Sequence, residues 1–235
     1  MSLDDLQKCV MNNAEWCDQV CSSQGVPGIF SGAVWLQPRK GPDYYPNAIS
    51  LTRDGQDEQY QGIESIRAQR AGDFSVKDSF DRLDLSKYGL KSLFQAQWLW
   101  RPPGVAVTTS PDSPVWTKIE TTVELKEWQH ARGEGDVFLP MLLSNPATSF
   151  LAARDKGQIV AGCIAYRDSR DVIGLSNFFA PSGERARYRA EAVDQLAKLT
   201  LAGPIAGYEH GEDLEGMKAL GFRAVGPLRV WVPAP

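Results

Sequence analysis

FLAARDKGQIVAGCIAY, residues 150–166, and VIGLSNFFAP, residues 172–181, decide how this chain is read. The first stretch is an apolar run, broken by Asp155-Lys156-Gly157 and resumed at once by a second apolar run. A tight polar turn between two such runs is the mark of a β-hairpin. A second polar turn, Arg167–Asp171, leads into the next run. Ser149–Arg154, Gln158–Tyr166 and Val172–Phe179 therefore form three strands of an antiparallel meander.

Working outward, Val115–Glu120 alternates like a strand, and Thr121 with Glu124 has capping-box spacing, which predicts a helix over Thr122–Ala131. Asp136–Leu143 reads as a second, Pro-interrupted helix. Beyond the meander, Val193, Leu196, Ala197, Thr200 and Leu201 lay one apolar stripe on a helix that can start at Ser182, behind Pro181. A strand at Pro204–Tyr208, a helix at Glu212–Leu220 closed by Gly221, and a strand at Val225–Val232 complete this half.

Upstream, Leu6, Cys9, Val10, Trp16, Cys17, Val20 and Cys21 give one buried face to a helix over Ser2–Cys21, with Ser2 as its cap. Strands follow at Ile29–Gln37 and Ala48–Thr52, joined by the Pro38–Pro46 loop, then a helix near Gln59–Ala68 and a strand at Phe74–Lys77. A helical turn near Leu83–Tyr88 stops at Gly89, and the aromatic strand Ser92–Trp100 ends at Pro102 and Pro103. Arg101–Pro114 is rich in Pro, Ser, Thr and Gly. It divides the chain into an abbreviated lobe over 1–103, a linker over 104–114 and a fuller lobe over 115–235.

The two halves also match in order. Glu15-Trp16 answers Glu127-Trp128, IFSGAVWL from Ile29 answers IVAGCIAY from Ile159, and Ile49–Thr52 answers Ile173–Ser176. Ala71-Gly72 answers Ala202-Gly203, and Gly89-Leu90 before one apolar strand answers Gly221-Phe222 before another. The expected fold is α/β (α+β), a mixed, mostly antiparallel twisted sheet flanked by helices, with an internal repeat.

Composition narrows the function. With 43% hydrophobic and 23% charged residues the chain can bury a core, and 29 acidic against 25 basic side chains leave no basic footprint for nucleic acid. No apolar run is long enough for a membrane span, and Asp4 and Asp5 stand where a signal peptide needs positive charge. A cytoplasmic location is expected. Cys9, Cys17, Cys21 and Cys163 lack a paired framework and are expected as free thiols; His130 and His210 lie too far off in sequence to complete a metal site, so none is expected.

The order of elements in the second half resembles the GNAT (general N-acetyltransferase) fold. FLAARDKGQIVAGCIAY looks like that family's paired second and third strands, VIGLSNFFAP like its fourth, and GMKALGFRAVGPLRVWV like its closing helix, Gly-Phe turn and final strand. The resemblance covers about Val115–Val232 well and Ile29–Trp100 through the repeat. It implies acetyl-CoA or another acyl-CoA as co-substrate, a primary amine of a small molecule or peptide as acceptor, and direct transfer. The fourth-strand end, Phe178, Phe179 and Ala180, would take the pantetheine, and the following turn the pyrophosphate.

That turn departs from the family's R-x-x-G-x-G/A pattern. Ala180-Pro181-Ser182-Gly183-Glu184-Arg185-Ala186-Arg187 keeps one glycine, Pro181 has no N–H and Glu184 repels phosphate. Ser182, Gly183, Arg185, Arg187 and Arg189 can partly substitute; an ordinary capped helix with a solvated Arg-rich face is the other reading. The matching place in the first half, Arg53–Glu58, is acidic. The family's acid Tyr is Met217 here. Glu209 and His210, after the short fifth strand, are the base candidates. Lys77 and Asp78, the counterparts of Glu209 through the repeat, form a second polar cluster or an exposed turn. Three functions stay open: an N-acyltransferase, a binding or scaffold protein that kept the fold and lost the phosphate loop, or some other ligand-processing enzyme working in the cleft between the lobes.

Overall fold

The computed structural model describes residues 4–68, 74–109, 113–200 and 203–234. Helix α1 (Asp5–Ser23) begins where Asp4 accepts a hydrogen bond from the Gln7 amide at 2.7 Å. The cap is thus Asp4; Ser2, the expected cap, lies outside the described residues. The expected strand Ile29–Gln37 is split into β1 (Ile29–Phe30) and β2 (Val34–Leu36), and is followed by β3 (Ala48–Ser50), α2 (Gln56–Arg67) and β4 (Val76–Asp78). Gly89 takes the left-handed conformation that ends the short 3-10 turn Ser86–Tyr88, and β5 runs over Leu90–Arg101. The counterpart Ala71-Gly72 falls outside the described residues, as does Ala202.

The second half follows its expected order. It holds β6 (Val115–Lys118), α3 (Thr122–Arg132), β7 (Thr148–Asp155), β8 (Gln158–Arg167), β9 (Ile173–Phe179), α4 (Arg185–Thr200), β10 (Ile205–Glu209), α5 (Gly211–Ala219) and β11 (Arg223–Pro233). The capping box of α3 is complete in both directions, with Thr121 and Glu124 each bonded to the other's backbone. The second helix is shorter than expected: only the 3-10 turn Pro140–Ser144 forms. Ser182–Glu184 is likewise a 3-10 turn ahead of α4.

All described strands join one sheet, in the order β1-β2-β3-β4-β11-β5-β10-β9-β8-β7-β6. The pairs β3/β4 and β9/β10 are parallel; the remaining neighbours are antiparallel. Strand β5, from the first half of the chain, pairs with β10, while β11, from the second, pairs with β4. The chain segment between β5 and β6 therefore does not separate two independent sheets, because β5 and β11 pair along their whole length at the centre.

Side-chain alternation sorts the helices onto two faces. Ala96 and Trp98 of β5, Ile49 of β3 and Ala206 of β10 pack under α1, while Trp128 of α3 meets Ile164 and Tyr166 on the same side. On the other face Leu99, Cys163 and Ile205 meet Val193 and Leu196 of α4 and Met217 of α5, and α2 packs Ile63 and Ile66 against Ala48 and Val76. Trp16 and Trp128 pack against the same ring, Phe138, at 6.1 and 5.9 Å. Helix α1 thus packs on strands of both halves. Asn12, buried on α1, donates to the carbonyls of Tyr166 and Val172, at 3.2 and 2.9 Å, and pins the β8–β9 turn. Cys9, Cys17, Cys21 and Cys163 are free and buried.

Candidate active site between β9 and β10

Strands β9 and β10 are paired only at Ile173–Ile205 and Gly174–Ala206. Beyond that point they diverge. The β8–β9 register slips between the Gly162–Phe179 and Ile164–Ser176 pairs, and Asn177 inside β9 has a positive φ of 51°. This is a bulge, and it bends the strand away from its parallel neighbour. Asparagine tolerates the left-handed region better than most residues, and Arg132 of α3 holds Asn177 Oδ1 at 2.9 Å.

The opening is a cavity of about 340 Å³, with Leu175–Phe178 on one wall and Gly207, Tyr208, Glu209 and His210 on the other. Asn13, Trp16 and Cys17 of α1, Tyr44–Pro46, Lys77 and Phe94 complete it from the first half. A wider groove of about 720 Å³, sharing Tyr44–Pro46, Lys77, Phe94 and Tyr208, continues outward past Leu93, Val230 and Val232.

The corresponding V of the first half is bridged. Past the pairs Ala48–Val76 and Ile49–Lys77, Ser50 Oγ accepts from the Ser79 amide at 2.7 Å and donates to Asp78 Oδ1 at 3.4 Å. Asp78 is buried and also accepts the amides of Leu83 and Phe80. Burial lifts its pKa above the usual carboxylate value, against those amide bonds. Asp78 is therefore a structural clasp, neither part of a polar cluster with Lys77 nor an exposed turn.

The sequence-derived candidates do not all meet. Glu209, His210, Phe178 and Arg185 line the cavity. Phe179 turns the other way and packs edge-on against Trp128 at 5.1 Å; Ala180 sits beside the Tyr188 cluster. Ser182 and Gly183 are exposed in the 3-10 turn. His210 is exposed at the N-cap of α5 without a side-chain capping bond, its ring stacked 5.1 Å from Phe94.

Internal carboxylates engage the arginines. Arg185 grips both oxygens of Asp213, at 2.9–3.1 Å. Arg187 pairs with Glu184 and Glu191 at 3.0 and 3.1 Å, and the buried Arg189 meets Asp213 at 2.8 Å and Glu209 at 3.9 Å. Burial works against the Asp213 carboxylate, yet the two arginines outweigh it and hold its pKa low. Burial raises the Glu209 pKa, with Arg189 pulling it down and Asp213 pushing it up. A carboxylate tuned upward is the direction a general base at neutral pH needs. The cavity is thus open along β9, whereas the basic groups at the start of α4 are already engaged by carboxylates.

No protein-family model matches the chain, and no curated protein does. Solved structures do. A GCN5-related N-acetyltransferase from Kribbella flavida superposes with a TM-score of 0.73 at 14% identity, over 100% of this chain and 97% of that one. A functionally unknown conserved protein from Staphylococcus epidermidis gives 0.64 at 11% identity, over 87% and 92%. The fold is GNAT-like. A second GCN5-related N-acetyltransferase, from Sphaerobacter thermophilus, gives 0.50 at 14%, over 79% and 71%. At such identities the likeness carries the GNAT-like fold and leaves substrate and site residues to the chain itself.

Asn13, Tyr44 and Tyr45 are not legible as site residues, and Lys77 reads only as half of a polar pair with Asp78. Tyr44 and Tyr45 sit in a Pro-rich loop that reads as a connector, and Lys77 reaches the cavity only because β4 and β10 share a sheet. Asn177 did carry a signal: an asparagine inside an otherwise β-rich run.

Proposed function

We propose that the chain is an acyl-CoA-dependent N-acyltransferase, transferring an acetyl group to the primary amine of a small molecule or peptide. The observation that carries this is the asymmetry of the two V-shaped openings, the first bridged by Ser50, Asp78 and Ser79 and the second held open by the Asn177 bulge. In this reading the pantetheine of acetyl-CoA lies along Phe178 and Ala180, and the phosphates meet Ser182, Gly183, Arg185 and Arg187. Glu209 takes the proton of the acceptor ammonium, with His210 as its neighbour at the mouth. The freed amine attacks the thioester carbonyl, the C–N bond forms as the C–S bond breaks, and the departing thiolate takes up the further proton that the acylated nitrogen sheds. Met217, where the family has its acid Tyr, lines the cavity and supplies no proton.

A second reading rests on the ion pairs of Arg185, Arg187 and Arg189, which supply the charge a pyrophosphate would otherwise meet. It makes the chain a non-catalytic GNAT-like binding protein. Calorimetric titration with acetyl-CoA and CoA separates the two. Binding that weakens by about 1–3 kcal/mol on joint replacement of Arg185 and Arg187 by Ala, with Arg53→Ala neutral, supports the enzyme. No binding at millimolar CoA supports the rival.

The reading extends to the architecture. The halves 1–103 and 115–235 are partial copies of one lobe, joined through 104–114, each closed by the other's last strand. Support comes from the strand order, in which β2-β3-β4-β11 mirrors β8-β9-β10-β5. A cytoplasmic location accords with the described residues, where no helix is long and apolar enough to cross a membrane.

A further inference from the structure

Lys77 is the charged group of the cavity that the proposed transfer does not use. Its neighbour Val76 faces α2, so alternation along β4 turns Lys77 to the α1 side, into the opening between the halves. The residue is 5% exposed. Its Nζ donates to Asn13 Oδ1 at 2.6 Å and lies 4.6 Å from the centre of the Tyr208 ring. Both partners are neutral. Among the described residues no carboxylate lies within ion-pair distance of Nζ, in contrast to Arg185 and Arg189, which share Asp213 on the opposite side of the V. An ammonium withdrawn from water is costly unless it is paired, and this one retains donor capacity beside an open cavity.

Two further features point the same way. The hydroxyl of Tyr45, on the same cavity, is buried beside the Asn177 and Trp16 side chains. Lys77 also lies where the cavity meets the wider groove, whose walls include Phe74, Leu93, Phe94, Val230 and Val232. The junction thus offers a cation and a tyrosine hydroxyl beside a groove whose apolar walls are joined by Lys40, Asp43 and Glu134.

We infer that Lys77, with Asn13 and Tyr45, forms a carboxylate-binding subsite, and that the ligand is a compound carrying a carboxylate near its amine and an apolar side group, as in an apolar α-amino acid. The assignment of that amine as the acyl acceptor rests on the function proposed above; the subsite itself does not. The carboxylate bonds Lys77 Nζ and Tyr45 Oη, and the apolar group enters the groove.

The test is binding by the full chain without acetyl-CoA. Thermal shift and calorimetry use L-leucine, L-methionine and L-phenylalanine, their amides, the matching decarboxylated amines, and leucyl dipeptides to separate a free amino acid from a peptide end. At least one acid should stabilise the protein, with its amide and decarboxylated amine binding at least about tenfold more weakly, the factor for one lost charge-assisted contact. Lys77→Met should abolish the preference. Should that variant fold poorly, Asn13→Asp supplies an internal counter-ion to Nζ and must weaken the acid by at least about tenfold while leaving the amide unchanged. If none of the acids or dipeptides binds, or the acid binds no better than its amide, or Lys77→Met and Asn13→Asp both bind it as the parent does, the subsite is wrong. Acetyl-CoA is then added. Acid binding without CoA release overturns acyl transfer and leaves the subsite standing, and CoA release with equal use of acid and amide does the reverse.

Discussion

Asn12 is the joint between the halves, and Gly174 is cut to receive it. A Cβ at Gly174 would lie 2.0 Å from Asn12 Oδ1, so the side chain and the missing methyl are two parts of one fit. Asn12→Ala removes the bonds to Tyr166 O and Val172 O and leaves a small void. The Val172 carbonyl keeps the Asp168 amide at 3.0 Å, which moderates the loss there. Two neutral bonds at about 1 kcal/mol each, plus the void, give a cost of about 2–3 kcal/mol. For a chain of this size that is a fall in Tm of about 4–12 °C. Gly174→Ala in the parent should cost about 1–3 kcal/mol by overpacking. In the Asn12→Ala background the obstacle is gone, and Gly174→Ala should then cost little. Urea denaturation of the four proteins gives the coupling, expected at about 1–3 kcal/mol and favourable to the pair. Additivity within about 0.5 kcal/mol, or an Asn12→Ala cost below that, would refute the claim that α1 is anchored through this contact.

The other predictions are smaller. All four thiols should resist alkylation in the native protein and react after denaturation, because burial pushes Cys21 up to about 12 and raises Cys9, Cys17 and Cys163 as well; labelling of any of them at native rates by mass spectrometry would be inconsistent with the packing. Asn177→Val should cost about 1–2 kcal/mol, since a β-branched residue is strained at φ 51°, while Asn177→Gly should be milder; equal costs in chemical denaturation would remove the bulge from the argument. Thr121→Ala should cost about 1 kcal/mol through the lost cap, read from the same denaturation curves. Glu209 has a folded pKa raised above 4.5, so its contribution is present below that value and is lost as pH rises through the folded pKa. Glu209→Gln should therefore gain stability relative to the parent between pH 4 and pH 7, and the opposite slope would show that Arg189 governs it instead.

The meander, the capping box at Thr121, the stop at Gly89 and the apolar face of α1 are local. Each depends on residues within a few positions of one another, so periodicity and turn chemistry determine them and the sequence alone reveals them. The same holds for the order of elements in the second half. Other features turn on residues distant along the chain. Ser182 and Gly183 read as the start of a helix, yet α4 begins at Arg185 after a 3-10 turn. Arg185 read as a phosphate ligand, and Asp213, on the next helix but distant along the chain, engages it. Phe179 read as a pocket wall, and the ring of Trp128 turns it into the core. The pairing of β5 with β10 and of β11 with β4 is the largest such effect. Any apolar strand can pair with any other, and only the packing of α1 and the closing of both open edges places β5 beside β10 and β11 beside β4. That arrangement brings Lys77, Asn13 and Tyr45 to a cavity whose other wall is Tyr208 and Glu209, because contact between residues so far apart in the chain is set by sheet order and not by any local pattern.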